Sequence, residues 1–240
     1  MKLHIREWGS GDRTAVLLHG ITSSSASWWK LGPALAAEGF HVLAPDLRGH
    51  GQSPRGPYSV TSWADDVIES VPPSPDLALG LSLGGLVLAA AVDRLRPGVA
   101  VYEDPAWFLQ PGGERRAQSS AGFLARKKWT LDDIRATYPR WEPEAHQASL
   151  ASIGEWDEEC VRFVGDFIEP TAPPVPSVVL TADPSELIPH PRVEQLRELG
   201  FTVEAVPNTG HVIHNEDFDG FWAALQPWLQ RARQAPEPRL

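Results

Sequence analysis

One cysteine, Cys160, stands among 240 residues. A lone thiol can form no disulfide within the chain and no thiolate metal cluster, so disulfide-stapled and zinc-ribbon architectures are excluded. No apolar run reaches the ~18 residues that span a bilayer. Basic residues are also scarce: 21 Lys and Arg against 31 Asp and Glu leave a formal charge of −10. Nucleic-acid binding rests on clustered cations, so a polyanion partner is not expected. The one compact basic cluster, Arg126-Lys127-Lys128, reads as a solvated helix face. The stretch MKLHIREWGSG lacks the apolar centre of a secretory signal. These deficits together predict a cytoplasmic setting, with neither nucleic acid nor membrane as partner.

The remainder is globular in composition. Hydrophobic residues make up 42% and charged residues 22%, and the length suits one domain with a substantial core. Short apolar runs alternate with helical patterns. Lys2 to Trp8 alternates and turns at Gly9-Ser10-Gly11-Asp12, which predicts a first hairpin. "AVLL" (Ala15 to Leu18) and "HVLAPD" (His41 to Asp46) read as buried strands, with a helix over Ser27 to Glu38 between them. Val60 to Val71 has helical spacing. Leu77 to Leu79 and Val99 to Tyr102 are further strands, separated by an apolar helix that ends near Arg96-Pro97-Gly98. The alternation lapses between Pro105 and Pro174. It then resumes with "SVVLTAD", a helix over Arg192 to Leu199, "FTVEAVP", and a helix over Asp217 to Arg233. Such alternation predicts a mostly parallel sheet covered by helices on both faces. The lapse predicts an insertion at the carboxyl edge, where these sheets bind ligands.

Within this frame Gly80-Leu81-Ser82-Leu83-Gly84 joins a strand directly to a helix. A reversal that tight needs residues without Cβ on either side and puts the serine at a strained apex. Its hydroxyl then sits at a helix N-terminus, which favours developing negative charge. Ser82 is therefore the candidate nucleophile. A serine needs a base, and the base needs an orienting acid. His211, in "PNTGHVIHNE", follows the last strand and should share an edge with Ser82; His214 is its nearest rival. His19 and His50 read as loop-shaping residues, and His4, His41, His146 and His190 as surface or structural ones. For the acid, Asp183 ends the strand before the histidine strand and is the first choice. Asp104 also ends a strand at that edge, with Glu103 beside it, and is the alternative. Two amides should face the developing oxyanion, those of Leu83 and Ile21.

With these residues in place, the chain resembles the α/β-hydrolase family over nearly its whole length. The likeness rests on "LLHGITSSSASW", "HVLAPDLRGHGQS", "GLSLGG", "VVLTADPSELIP" and "NTGHVIHNE", in that order. The resemblance implies the α/β-hydrolase fold, with residues 1–104 and 175–240 as core and 105–174 as a helical cap. Asp46 and Arg48 would brace the loop they occupy. Many relatives carry a histidine just before the nucleophile; Leu81 stands there instead. A serine nucleophile in place of aspartate points away from the family's haloalkane dehalogenases and epoxide hydrolases. It implies acyl transfer without metal or cofactor.

Ten tryptophans are many for this length. Trp107, Trp129, Trp141 and Trp156 fall in the insertion with Phe108, Phe123, Tyr138, Phe163 and Phe167, and Trp28 and Trp29 lie near the oxyanion loop. Trp28, Trp107, Trp129, Trp141 and Trp156 are the expected pocket lining, suited to a small-molecule apolar ester or lactone that is bulky or aromatic. No arginine stands out as a clamp for a substrate carboxylate. Two other readings share these residues: a carbon–carbon bond hydrolase acting on a vinylogous diketone, and a non-catalytic ligand-binding member of the fold.

Overall fold

The computed structural model describes residues 1–108, 113–163 and 169–234. The first half runs β1 (Ile5–Trp8), β2 (Arg13–Leu18), α1 (Leu31–Ala37), β3 (Phe40–Pro45), α2 (Val60–Ser70), β4 (Leu77–Leu81), α3 (Leu83–Leu95) and β5 (Val99–Glu103). Three helices follow before the next strand: α4 (Gly113–Arg126), α5 (Leu131–Thr137) and α6 (Pro143–Ile153). The chain closes with β6 (Ser177–Asp183), α7 (His190–Glu198), β7 (Thr202–Pro207), α8 (Ile213–Glu216) and α9 (Phe218–Gln234).

The seven strands form one sheet in the order β1-β3-β2-β4-β5-β6-β7. Every pairing is parallel except that of β1 with β3. The expected hairpin of β1 with β2 does not form. Strand β2 is bonded on one side to β3 and on the other to β4, so it has no open edge, and β1 adds antiparallel to the free edge of β3.

Alternate residues of each central strand enter different cores. Val16 and Leu18 of β2 pack on one face with Trp63 and Val67 of α2 and Val87 and Leu88 of α3. Ala15 and Leu17 pack on the other with Leu31 and Leu35 of α1 and Phe221, Leu225 and Leu229 of α9. This two-sided burial explains why the strands read as unbroken apolar runs. It also leaves the strand ends as the only places where polar side chains from several strands can converge.

The segment between β5 and β6 contributes to the first core through Trp107, Trp156, Cys160 and Val161. Its helix α5 starts with a capping box, in which Thr130 and Asp133 satisfy each other's backbone N–H groups. Phe167 lies outside the described residues, as does the side chain of Phe163.

Candidate active site

Ser82 sits between the last residue of β4 and the first of α3, with φ 53° and ψ −112°. A non-glycine residue there stores strain and persists only where its surroundings enforce it. Two glycines make the reversal possible. A Cβ on Gly80 would lie 2.3 Å from the Gly84 carbonyl oxygen, and one on Gly84 would lie 2.0 Å from that of Leu18. Both are far inside contact distance, so helix α3 can start this close to the sheet only with glycine at both positions. Asp104, one residue beyond β5, also has a positive φ, of 36°.

The strand ends converge around a cavity of about 670 Å³. Gly20 after β2, Ser82 after β4, Asp104 after β5, Pro184 after β6 and His211 after β7 all line it. Phe123, Arg126, Trp129, Tyr138 and Trp141, from the segment that follows β5, line the same cavity.

His211 Nδ1 lies 2.7 Å from Asp104 Oδ2. The imidazole is 42% exposed and the carboxylate only 1%, so the ring faces the cavity while its partner is anchored below. With Nδ1–H donated to Asp104, Nε2 is the nitrogen left free to accept a proton. Asp104 Oδ1 accepts a second bond, 2.6 Å long, from the Ser185 hydroxyl. Ser185 is in turn held by the N–H groups of Leu187 and Ile188.

This geometry corrects the first choice of acid. Asp183 is exposed at the end of β6, bridged through its backbone to Thr209, and the histidine's bond runs to Asp104 instead. The loop after β6 does serve the site, but through the hydroxyl of Ser185, which had no distinguishing signal in the sequence. The rival histidine is accounted for separately. His214 is buried, and both its backbone N–H and its Nδ1 bond to Glu103, the neighbour of Asp104, at 2.9–3.0 Å. Two adjacent carboxylates at the end of β5 thus hold two histidines three residues apart, one facing the cavity and one in the core.

The loop "HGIT" runs alongside Ser82: a Cβ on Gly20 would touch that of Ser82 at 3.6 Å. Its peptide planes are pinned by two buried histidines. His19 accepts the Leu47 N–H at Nε2 (2.9 Å), so its proton is on Nδ1, which donates to the Gly20 carbonyl at 2.8 Å. Fixing that carbonyl turns the N–H of the same peptide, that of Ile21, the opposite way. His50 Nε2 lies 2.5 Å from the Ile21 carbonyl. Burial, reinforced by its neighbour His50 and opposed by Asp46, pushes His19 down to about 3, so it is neutral near pH 7. Among the described residues, no turn or loop carbonyl takes up the N–H of Ile21 or of Leu83.

Below this loop, Asp46 accepts the N–H groups of Ser25 (2.7 Å) and Gln52 (3.0 Å). Arg48 grips Asp66 through two nitrogens, at 2.6 and 2.8 Å. Cys160 is buried against the Gly49 carbonyl, and burial raises its thiol to about 12, which leaves it no role as a nucleophile.

The tryptophans divide sharply. Trp129 and Trp141 line the cavity. Trp28, Trp107 and Trp156 do not: each is at most 2% exposed and packed in a core. Trp28 lies against the His214 ring at 4.8 Å, and Trp107 against Tyr102 and Phe201 at 4.8 and 5.3 Å. The expectation of pocket roles for these three is corrected by their burial, since a large apolar ring gains most where water is fully excluded.

A family model described as the alpha/beta hydrolase family matches residues 15–224. The chain belongs to the alpha/beta hydrolase family. A curated relative, N-formylmaleamate deformylase of Pseudomonas putida, is 28% identical over 95% of this chain and 93% of its own. Among solved structures, E-2-(acetamidomethylene)succinate hydrolase superposes with a TM-score of 0.76 at 20% identity, covering 95% of each chain. A thermophilic esterase of Thermogutta terrifontis gives 0.72 at 20% identity, over 96% of this chain and 93% of its own. At such identities the structural likeness is one of fold. No helix among the described residues of this alpha/beta hydrolase is long and apolar enough to cross a membrane.

Proposed function

We propose that this alpha/beta hydrolase cleaves an acyl bond of a small molecule, a carboxylic ester or lactone, through Ser82, His211 and Asp104. The observation that carries the reading is the pairing of a buried Asp104 with a half-exposed His211 on the wall of the cavity that Ser82 also lines.

Ser82 Oγ attacks the substrate carbonyl and its proton passes to Nε2 of His211. Asp104 holds the imidazole in the right tautomer and stabilises the imidazolium. The oxyanion receives the N–H groups of Ile21 and Leu83, the first oriented by His19 through the Gly20 carbonyl. His211 then protonates the leaving group, and the acyl-enzyme is hydrolysed by a water that His211 deprotonates. The helices between β5 and β6 act as the cap, and Trp129, Trp141 and Tyr138 give the acyl or leaving group its apolar wall.

Amide cleavage is the second reading. It is favoured by the deformylase, a relative matched over almost the whole of both chains. The same triad serves both, because an amide differs in needing its nitrogen protonated as it leaves. Turnover of p-nitrophenyl acetate and of N-formyl-p-nitroaniline by the wild type and by Ser82→Ala tests both readings. Loss of more than about 10³-fold on replacing Ser82 is expected with whichever substrate is cleaved. Cleavage that survives in Ser82→Ala contradicts the proposal.

A further inference from the structure

The basic cluster of residues 126–128 does not form one solvated face. Lys127 turns away and lies 4.3 Å from the Trp156 ring centroid. Arg126, the last residue of α4, lines the cavity. Its guanidinium lies 5.5 Å from the Phe123 ring centroid and 5.2 Å from that of Trp129. The three residues are spaced by three, so the end of the helix and its following turn bring them to one side. Phe123 and Trp129 line the same cavity.

Two aromatic faces hold a guanidinium in place without consuming its N–H donors, which project from the edge of the plane. Arg48 uses those donors on Asp66 and Arg233 on Glu38, while Arg192, over the Phe108 ring, uses one on the Gln195 side chain. Arg126 forms no ion pair with any described residue. Asp104, one of the two acids that line the cavity among the described residues, is committed to His211 and Ser185. The other, Glu186, is exposed and makes no ion pair with Arg126. Among the described residues the wall carries no lysine. A preorganised guanidinium on the cavity wall with no ion-pair partner among the described residues, in a chain with net charge −10, selects for an anion inside that cavity.

We propose that Arg126 binds a carboxylate carried by the substrate at a distance from its scissile carbonyl, so that the substrate class is an acidic acyl compound such as a dicarboxylic hemiester or hemiamide. This rests on the hydrolase reading above and narrows it. The planar fork of Arg126 suits a bidentate carboxylate, while Trp129, Tyr138 and Trp141 cover the carbon chain between the two ends.

The test uses p-nitrophenyl hemiesters of succinic, glutaric and adipic acids, each beside its methyl-capped neutral counterpart, with wild type, Arg126→Gln and Arg126→Lys. The quantity read is the ratio of kcat/KM for the charged to the capped ester, in which any general loss of activity cancels. For the best chain length, the wild type should favour the charged ester by about 30-fold or more, the range of a charge-assisted pair. Arg126→Gln should bring the ratio to within about threefold of unity, with Arg126→Lys between. Equal ratios in wild type and Arg126→Gln overturn the proposal and leave the hydrolase reading intact. Calorimetric titration of glutarate into Ser82→Ala and into the Ser82→Ala, Arg126→Gln double variant needs no turnover. A tenfold or greater weakening on loss of Arg126 is expected; equal binding counts against the anion site. Glutarate binding that depends on Arg126, in a protein that hydrolyses none of the esters, upholds the anion site and contradicts the hydrolase reading.

Discussion

Asp104 Oδ2 stands 2.7 Å from Nδ1 of His211, while Asp183, one strand over at the same edge of the sheet, is exposed and bonds elsewhere. The difference defines a direct contrast. Asp104→Asn keeps the shape but disfavours the productive tautomer, and should lower kcat by about 10⁴-fold, as in other triads. Asp183→Asn should stay within about threefold of wild type. Steady-state rates on an activated ester decide it, and equal damage from both would undo the assignment.

Glu103 and Asp104 are neighbours with separate duties. Glu103 is fully buried and takes two donors of His214, whose ring packs between Trp28 and Phe221. Glu103→Leu leaves those donors buried and unpaired, so a loss of about 2–4 kcal/mol in urea unfolding is expected. Asp104→Asn should cost far less stability and far more rate. A Glu103 variant of wild-type stability contradicts this division.

The tryptophans give a similar pair of outcomes. Trp107→Ala and Trp156→Ala should lose about 3–5 kcal/mol of folding stability. Trp129→Ala and Trp141→Ala should instead raise KM and alter the ranking of substrates by acyl bulk, with a smaller change in unfolding midpoint. Trp129 also flanks Arg126, so its loss should reduce discrimination by substrate charge.

His19 links the loop after β2 to pH. Its folded pKa is pushed down to about 3 chiefly by burial, against 6.5 for an ordinary histidine. The unfolded chain therefore binds the proton more readily, and stability is complete above about pH 6.5 and falls as the pH drops toward 3. At about 1.4 kcal/mol per pH unit, this one residue removes about 2 kcal/mol by pH 5. His50 is likewise held neutral by burial and adds to the loss. Urea unfolding at pH 7.5, 6 and 5 should show this slope, and His19→Gln should flatten it by roughly one proton. An identical slope in the variant would show that His19 titrates normally.

The parts legible in sequence were those with a local cause. "AVLL" and Leu77 to Leu79 read as strands because both faces of the sheet bury them, and "GLSLGG" reads as an elbow because Gly80 must clear the Gly84 carbonyl four residues on, although the limit at Gly84 is set by Leu18 in β2. The acid was less legible. Asp104 and Asp183 both end strands at one edge, and only the tertiary register shows which carboxylate lies under His211. That register also gave Ser185, rather than its neighbour Asp183, to the site. Spacing could not sort the tryptophans, since core and cavity rings look alike in sequence. Arg126 was hidden for a related reason: beside two lysines it reads as a charged surface, and only the fold turns it inward between Phe123 and Trp129. The first hairpin failed because the pairing of β2 with β4 depends on strands far along the chain.

The central claim, that Ser82 is a nucleophile activated by His211 and Asp104, is tested most directly by covalent labelling. A fluorophosphonate should add once per folded chain, with peptide mapping placing it on Ser82. Ser82→Ala should remain unlabelled, and Asp104→Asn should be labelled at least about 100-fold more slowly. A folded wild type that takes no label at Ser82, or labelling in Asp104→Asn at the wild-type rate, would contradict it.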